Sequence, residues 1–352
     1  MKYSFAFIGS VSTEKSLGGE TLKNQLITKY LIENGIQVYV IDVEAYKPYT
    51  VRSRIALFLR ILSVFLSRDI KSIIISKASP GAIKILKLAK CFNIFKKRIY
   101  YVVIGGTIVR KVRENPNLNK LLKAVTRIYV EGKTMARDLI TLGIRNVEWL
   151  PNFKEIPEIR EVKKRTPRIP VRAVFVSRMT REKGVLFLLE CLDEINSQNV
   201  KITIDFYGPF ENIEFKEMFF EKIRNSNYAF YQGVLDFQSE NAYTKLAEYD
   251  LFIFPTCHVE EGFPGALIDA MIAGLPIVAS DAGCNGEIVT DEIGYLFKTN
   301  DEENFKEVLL RVLVDPQQLV EKSDNSRKRA AVYEYRRVLS KLLSDILVDA
   351  SK

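Results

Sequence analysis

Between Phe252 and Gly283 the chain reads FIFPTCHVEEGFPGALIDAMIAGLPIVASDAG, an acidic pair set on one turn and one short helix between two apolar runs. Phe252 to Pro255 predicts a buried strand, Gly262 to Gly265 a loop, Ala266 to Ala273 a helix and Leu275 to Ser280 the next strand. Glu261 then stands just before the helix and Asp269 two turns later, a span of roughly 12 Å at helical rise. Acids that far apart cannot share a proton, but they can hold opposite ends of one elongated ligand. Between them the backbone N–H groups of Phe263 to Ala266 (proline lacking one) point from the helix N-terminus at the middle of that ligand, and such a terminus attracts an anion. A diphosphate flanked by two hydroxyl-rich sugars has the length and the charge for such a site.

A second cluster, Val176 to Gly184 (VSRMTREKG), ends another strand-like run and opens a helix, with Arg178 and Lys183 near its start. Cations placed there neutralise a leaving diphosphate. Gly18 and Gly19 follow the first strand and precede a helix over Leu22 to Asn34, and paired glycines let a backbone approach a phosphate or sugar. Gly208 after one strand and Gly233–Val234 after another mark two more loops. His258, the single histidine, reads as structural. Glu131 to Thr134 is not a P-loop, because Arg127 stands where Walker A needs glycine.

The segment from Glu261 resembles the signature of retaining GT-B glycosyltransferases of family 4, in which a Glu and a second acid eight residues on precede Ala-Met-Ala-x-Gly-x-Pro-Val-Val-Ala-Ser. Ala270 to Ser280 follows that pattern, and Asp269 is one methylene shorter than the family's Glu. Ser177 to Gly184 is similar to the family's Ser-Arg-x-x-x-x-Lys-Gly element, and Gly18–Gly19 to its Gly-Gly loop. Gly283 to Glu287 resembles the family's glycine loop. The resemblance implies two Rossmann-like doubly wound domains facing across a cleft. It implies a nucleotide diphosphate sugar donor, with Asp269 on the ribose, Arg178 and Lys183 on the diphosphate, and Glu261 with the Gly262 to Gly265 amides on the sugar. Gly208 and Val234 would hold the base through backbone groups. No cofactor and no metal are expected, and no Asp-x-Asp occurs. Retention without a protein nucleophile and a glycan or lipid-linked saccharide acceptor, as in bacterial surface polysaccharide assembly, are further implications. Many relatives carry an acceptor-side His in the first domain, where this chain has Val103 to Thr107.

With 352 residues the chain fits two domains better than one core. Its 47% hydrophobic and 27% charged residues belong to a globular protein. Charge is unevenly divided. Residues 1–165 hold 31 Lys and Arg against 13 Asp and Glu, a net +18, and residues 166–352 a net −9. That asymmetry implies an anionic partner for the first half. Arg52 to Arg68, RSRIALFLRILSVFLSR, is apolar over most of its circumference and suits either a crossover helix or one lying on an anionic membrane surface, with Lys84, Lys87, Lys90, Lys96, Lys97 and Arg98 extending the basic area. The aromatics there read as one apolar surface rather than bases' stacking partners, which argues against nucleic acid. An epimerase or hydrolase on the same frame is the enzyme alternative, and a basic nucleic-acid-binding protein the non-enzyme one. Four scattered cysteines read as reduced thiols, the opening residues lack a signal peptide's pattern, and no run spans a membrane, so a cytoplasmic protein, peripheral on the inner membrane face, is expected.

Strand-like runs alternate with helical ones throughout, as in parallel βαβ units. They fall at Tyr3 to Ile8, Val38 to Asp42, Ser72 to Ser76, Ile99 to Ile104, Arg127 to Val130 and Val147 to Leu150. After the proline- and charge-rich Pro151 to Pro170, they resume at Arg172 to Ser177, Lys201 to Tyr207, Ala229 to Tyr231, Leu251 to Phe254, Ile277 to Ser280 and Tyr295 to Phe297. The expected domains are 1–160 for the acceptor and 161–334 for the donor. Ser326 to Leu347 reads as one long helical pattern, and the resemblance implies that about 335–352 packs back on the first domain.

Overall fold

A computed structural model describes residues 4–12, 18–158, 166–237, 239 and 241–351. Tyr3 of the expected first strand and residues 159–165 of the proline-rich run lie outside the described residues. The chain divides into two compact units, Met1–Glu155 with Tyr335–Lys352, and Ile156–Glu334.

In the first unit β1 (Phe5–Gly9), β2 (Val38–Asp42), β3 (Ser72–Ala78), β4 (Arg98–Ile104), β5 (Arg127–Val130) and β6 (Val147–Trp149) form one sheet in the order β2-β1-β3-β4-β5-β6. All neighbouring strands are parallel. Ile73, Ile74 and Ile75 of β3 are fully buried, because helices cover both faces and alternation gives way to a continuous apolar run. Glu131, just past β5, pairs with Lys23 at 2.7 Å, both side chains almost fully buried.

The helix Tyr335–Ser351 completes this unit. Its Tyr335, Val338, Leu339, Leu342 and Ile346 recur at helical spacing and join a core with Phe7, Ile27, Tyr100 and Tyr129. Arg127 Nε and Nη2 donate to the two carboxylate oxygens of Asp349 at 2.7 and 2.9 Å, and Tyr129 donates to Asp345 at 3.1 Å. Arg127→Met takes the cation away from a carboxylate that is only 10% exposed. The expected loss is about 3 kcal/mol, read as a lower urea midpoint; an unchanged midpoint would show that apolar contacts alone hold the helix.

The expected continuous helix over Ser326 to Leu347 is broken. One helix, Gln318–Ala330, gives way to a 3-10 turn, Ala331–Tyr333, and Glu334 is extended before the next helix starts. The two buried stripes explain the break. Leu319, Ser323, Ser326 and Ala330 are buried in the second unit, whereas Tyr335 and its successors serve the first. No single helix can feed two cores through stripes that are out of step.

The segment read as either a crossover helix or a surface helix forms the helix Val51–Leu66. It buries Ile61, Val64 and Phe65 and leaves Val51, Ile55, Phe58, Leu59 and Leu66 exposed, so one side of its apolar arc meets the core and the adjoining side forms an exposed stripe. Among the described residues no helix is long and apolar enough to cross a membrane. All four cysteines are free thiols.

The second unit holds β7 (Val171–Val176), β8 (Ile202–Tyr207), β9 (Ala229–Tyr231), β10 (Leu251–Phe254), β11 (Ile277–Ser280) and β12 (Gly294–Phe297), in the order β12-β11-β10-β7-β8-β9. Every pairing is again parallel. The helix Val185–Ile195 buries Val185, Leu188, Leu189, Leu192 and Ile195, each worth roughly 1.5–3 kcal/mol, against this sheet. The chain builds outward from β7 to β9 and then returns to β7's other side with β10. Strand order therefore reverses between β7 and β10, and a doubly wound sheet opens its ligand crevice at the carboxyl ends of two such strands.

Candidate active site

The loops that leave β7 and β10 meet at that reversal. After β7, Thr180 caps a 3-10 turn, Arg181–Lys183, its side chain accepting from the Lys183 amide at 3.2 Å. Gly184 then takes φ +74° and starts the next helix. A Cβ there would stand 1.8 Å from the Pro255 carbonyl oxygen just past β10, so only glycine lets the loops approach this closely. The Glu182 carbonyl accepts from the Cys257 amide at 2.8 Å and from the Thr256 hydroxyl at 3.2 Å, tying them further.

Lys183 Nζ and the Glu261 carboxylate form an ion pair across this junction, with side chains 13% and 11% exposed. The buried Thr256 hydroxyl has one proton to share between the Glu182 carbonyl and Glu261 Oε2, which is the nearer acceptor at 2.9 Å. The Glu261 amide donates to the His258 carbonyl at 3.0 Å, so the lone histidine shapes the loop through its backbone. From β11 the Cys284 amide donates to the Glu261 carbonyl at 3.2 Å, and Gly283, at φ +54°, would place a Cβ 2.0 Å from that oxygen. Three strand-end loops thus fix one carboxylate beside one ammonium.

Next to Glu261 begins the helix Gly265–Ile272, one residue earlier than expected. No side chain caps its N-terminus, which follows Pro264, so its first amides keep their pull on an anion. Phe263 turns its ring into the core, edge-on to Tyr333 at 5.2 Å, and leaves its backbone as its contribution to the site. Asp269 is 4% exposed and accepts from the Tyr243 hydroxyl at 2.8 Å. Burial, and then the Asp269 charge, push the Tyr243 phenol far above its ordinary pKa, so it stays protonated and donates.

Arg178 is exposed and makes no ion pair or hydrogen bond with a described residue. Beside it Gly208, at φ +144°, would place a Cβ 1.7 Å from the Ser177 carbonyl oxygen, which locks the loop after β8 onto the one after β7. The Gly208 amide donates to the Gly233 carbonyl at 2.8 Å, and Val234 is 59% exposed. Gly262 and Gly265 are half-buried on either side of the Phe263–Pro264 step. Gly18 and Gly19 belong to the first unit, where Gly18 precedes the helix Gly19–Glu33. A Cβ on Gly19 would meet nothing within 4 Å.

Sequence reasoning missed two residues. Thr256 was open to discovery as the first polar residue after an apolar strand and before Glu261. Tyr243 carried no signal, since a tyrosine in a short helix has no pattern that points to an acid 26 positions away.

Residues 157–331 match the family described as Glycosyl transferases group 1. The chain belongs to the glycosyl transferases group 1 family. Protein CapJ of Staphylococcus aureus is 24% identical over 235 residues, covering 65% of this chain and 57% of CapJ. Amylovoran biosynthesis glycosyltransferase AmsK of Erwinia amylovora is 27% identical over 151 residues, 41% of this chain and 36% of AmsK. The matched part therefore spans little more than half of one curated relative and about a third of the other. Among solved structures, Anabaena Alr3699/HepE in complex with UDP-glucose superposes with a TM-score of 0.73 at 14% identity, over 98% of this chain and 99% of that one. At that identity the likeness shows the fold, which is GT-B. Among the described residues of this group 1 chain, no three His, Cys, Asp or Glu side chains gather at metal-ligand spacing.

Proposed function

We propose that this group 1 protein is a retaining, metal-independent glycosyltransferase. It moves a sugar from a nucleotide diphosphate sugar to the hydroxyl of a glycan or lipid-linked saccharide during surface polysaccharide assembly. The observation that carries this reading is the Lys183–Glu261 pair, held by three loops at the strand-order reversal beside an uncapped helix N-terminus. A bound donor would exchange Glu261 for its diphosphate as the partner of Lys183, with Arg178 as a second cation, and would leave Glu261 to accept from sugar hydroxyls. Fixed cations and helix amides meet the charge that develops on the leaving diphosphate, with little reorganisation at the moment of reaction.

The bond from the anomeric carbon to the diphosphate oxygen breaks while the acceptor oxygen bonds on the same face. The acceptor's proton passes to the departing phosphate oxygen. Asp269, steadied by Tyr243, would receive the ribose hydroxyls, and the loops at Gly208 and Val234 the base. AmsK's place in amylovoran biosynthesis supports a polysaccharide product, and HepE bound to UDP-glucose supports beginning with uridine donors. The first unit would rest on an anionic membrane through the exposed stripe of the helix Val51–Leu66, drawn by the net +18 of residues 1–165.

A panel of nucleotide sugars, with and without EDTA, tests the donor site through the melting temperature. A donor at a hundred times its Kd stabilises the folded chain by about 2.7 kcal/mol, so at least one should raise the melting temperature by several degrees, equally in EDTA. If none did, the donor reading would fall; a rise lost in EDTA would remove metal independence.

A further inference from the structure

A cavity of about 470 Å³ in the first unit is lined by Arg68, Ile70, Lys71, Phe95, Lys96 and Arg98, four cations without one carboxylate. None of the four forms an ion pair with a described residue. Lys71 immediately precedes β3 and Arg98 opens β4, so the cavity lies at the amino end of the sheet. Doubly wound sheets bind substrates at the carboxyl end, which leaves this cavity outside the catalytic reading.

The cup is built rather than accidental. Lys97, 5% exposed, turns its ammonium inward onto the carbonyls of Ser67 and Ile70, at 2.6 Å for Ile70. Asn93 accepts from the Lys97 amide at 2.8 Å and donates to its carbonyl at 3.0 Å. These bonds fix both cation-bearing turns. Burial first, and then the Lys71 charge, lower the Lys97 pKa. Within a Debye length such cations repel one another, so an anion in the cup would relieve them.

The rim is apolar. Ile94 is 64% and Phe95 43% exposed, and the Arg68 guanidinium lies 5.9 Å from the Phe95 ring centre. The helix Val51–Leu66 runs into the cavity through Ser67 and Arg68, with its exposed stripe ending at Leu66. Free phosphate would use the cations and leave these side chains idle, whereas an anionic lipid uses both.

We propose that this cavity binds the phosphate of an anionic lipid headgroup, while Ile94, Phe95 and the exposed stripe of the helix Val51–Leu66 enter the acyl layer. The inference rests on the membrane-docking reading and adds a discrete headgroup site to it.

Flotation of the full chain with phosphatidylcholine vesicles containing phosphatidylglycerol tests this. Arg68→Gln with Lys71→Gln should weaken binding about tenfold or more. Arg137→Gln with Arg145→Gln, exposed first-unit cations outside the cup and outside the basic area that remove the same charge, should change it less than about twofold. Equal losses in both pairs would mean diffuse attraction and overturn the proposal. If neither pair lost binding while Ile55→Ser with Leu59→Ser did, docking would stand and the headgroup site would fall. Wild type that fails to float would remove docking and site together. Loss of heparin binding in the cup pair with unchanged flotation would assign the cup to a soluble polyanion and overturn the lipid.

Discussion

Lys183→Ala should cut sugar transfer by about 10²–10³ and destabilise the second unit by about 3 kcal/mol. Both losses have one origin. Glu261 is a carboxylate largely withdrawn from water, and without the ammonium it keeps only the Thr256 hydroxyl among its described side-chain partners. The leaving diphosphate loses a fixed cation at the same stroke. A second variant separates the effects. Lys183→Met with Glu261→Gln removes both charges, so the urea midpoint should recover most of its loss while turnover stays low. Full turnover by Lys183→Ala would take the site assignment away. A double variant no more stable than the single one would show that the pair matters little to the fold.

Gly184→Ala comes next in size, although Gly184 offers a ligand no side chain. A methyl group would have to occupy a left-handed backbone position and stand 1.8 Å from the Pro255 carbonyl oxygen. Neither atom belongs to a flexible side-chain end, so the two loops must part. The expected cost is about 3 kcal/mol or more, with a fall in activity because Lys183 is the preceding residue. Gly19→Ala is the matched control: its Cβ would enter open space at an ordinary φ, and stability should hold or rise by about 0.4–1 kcal/mol. Thermal melts on both variants check the contrast, and initial rates on Gly184→Ala the loss of activity. Equal melting temperatures would refute the argument from close approach.

Much of the second unit was legible residue by residue. Leu251–Phe254 and Ile277–Ser280 fall within two residues of the bounds that the sequence implied, because strands buried on both faces appear as plain apolar runs between turn residues. The loops were placed by the same contrast. What could not be read was partnership across loops. Sequence assigned Lys183 to the diphosphate and Glu261 to the sugar, and nothing announced that two residues 78 positions apart would pair with each other. The break at Ala331–Tyr333 was hidden too, since no proline or glycine marks it and only the division of its apolar residues between two cores explains it. Lys96 and Arg98 were read as part of a broad basic area, and nothing in the sequence showed that two strand ends would gather them with Arg68 and Lys71 around one cavity.

The helix Tyr335–Ser351 supplies five apolar residues to a core whose other members precede position 156. On the ribosome, all of the second unit is made between those two contributions, an interval of about ten to forty seconds at ordinary elongation rates. The unit synthesised first is thus the one finished last, and its nascent sheet waits with an uncovered groove while its neighbour can already fold. Chaperone demand during translation should fall on the first unit, and a stop codon placed before Tyr335 should leave that unit insoluble while sparing the other.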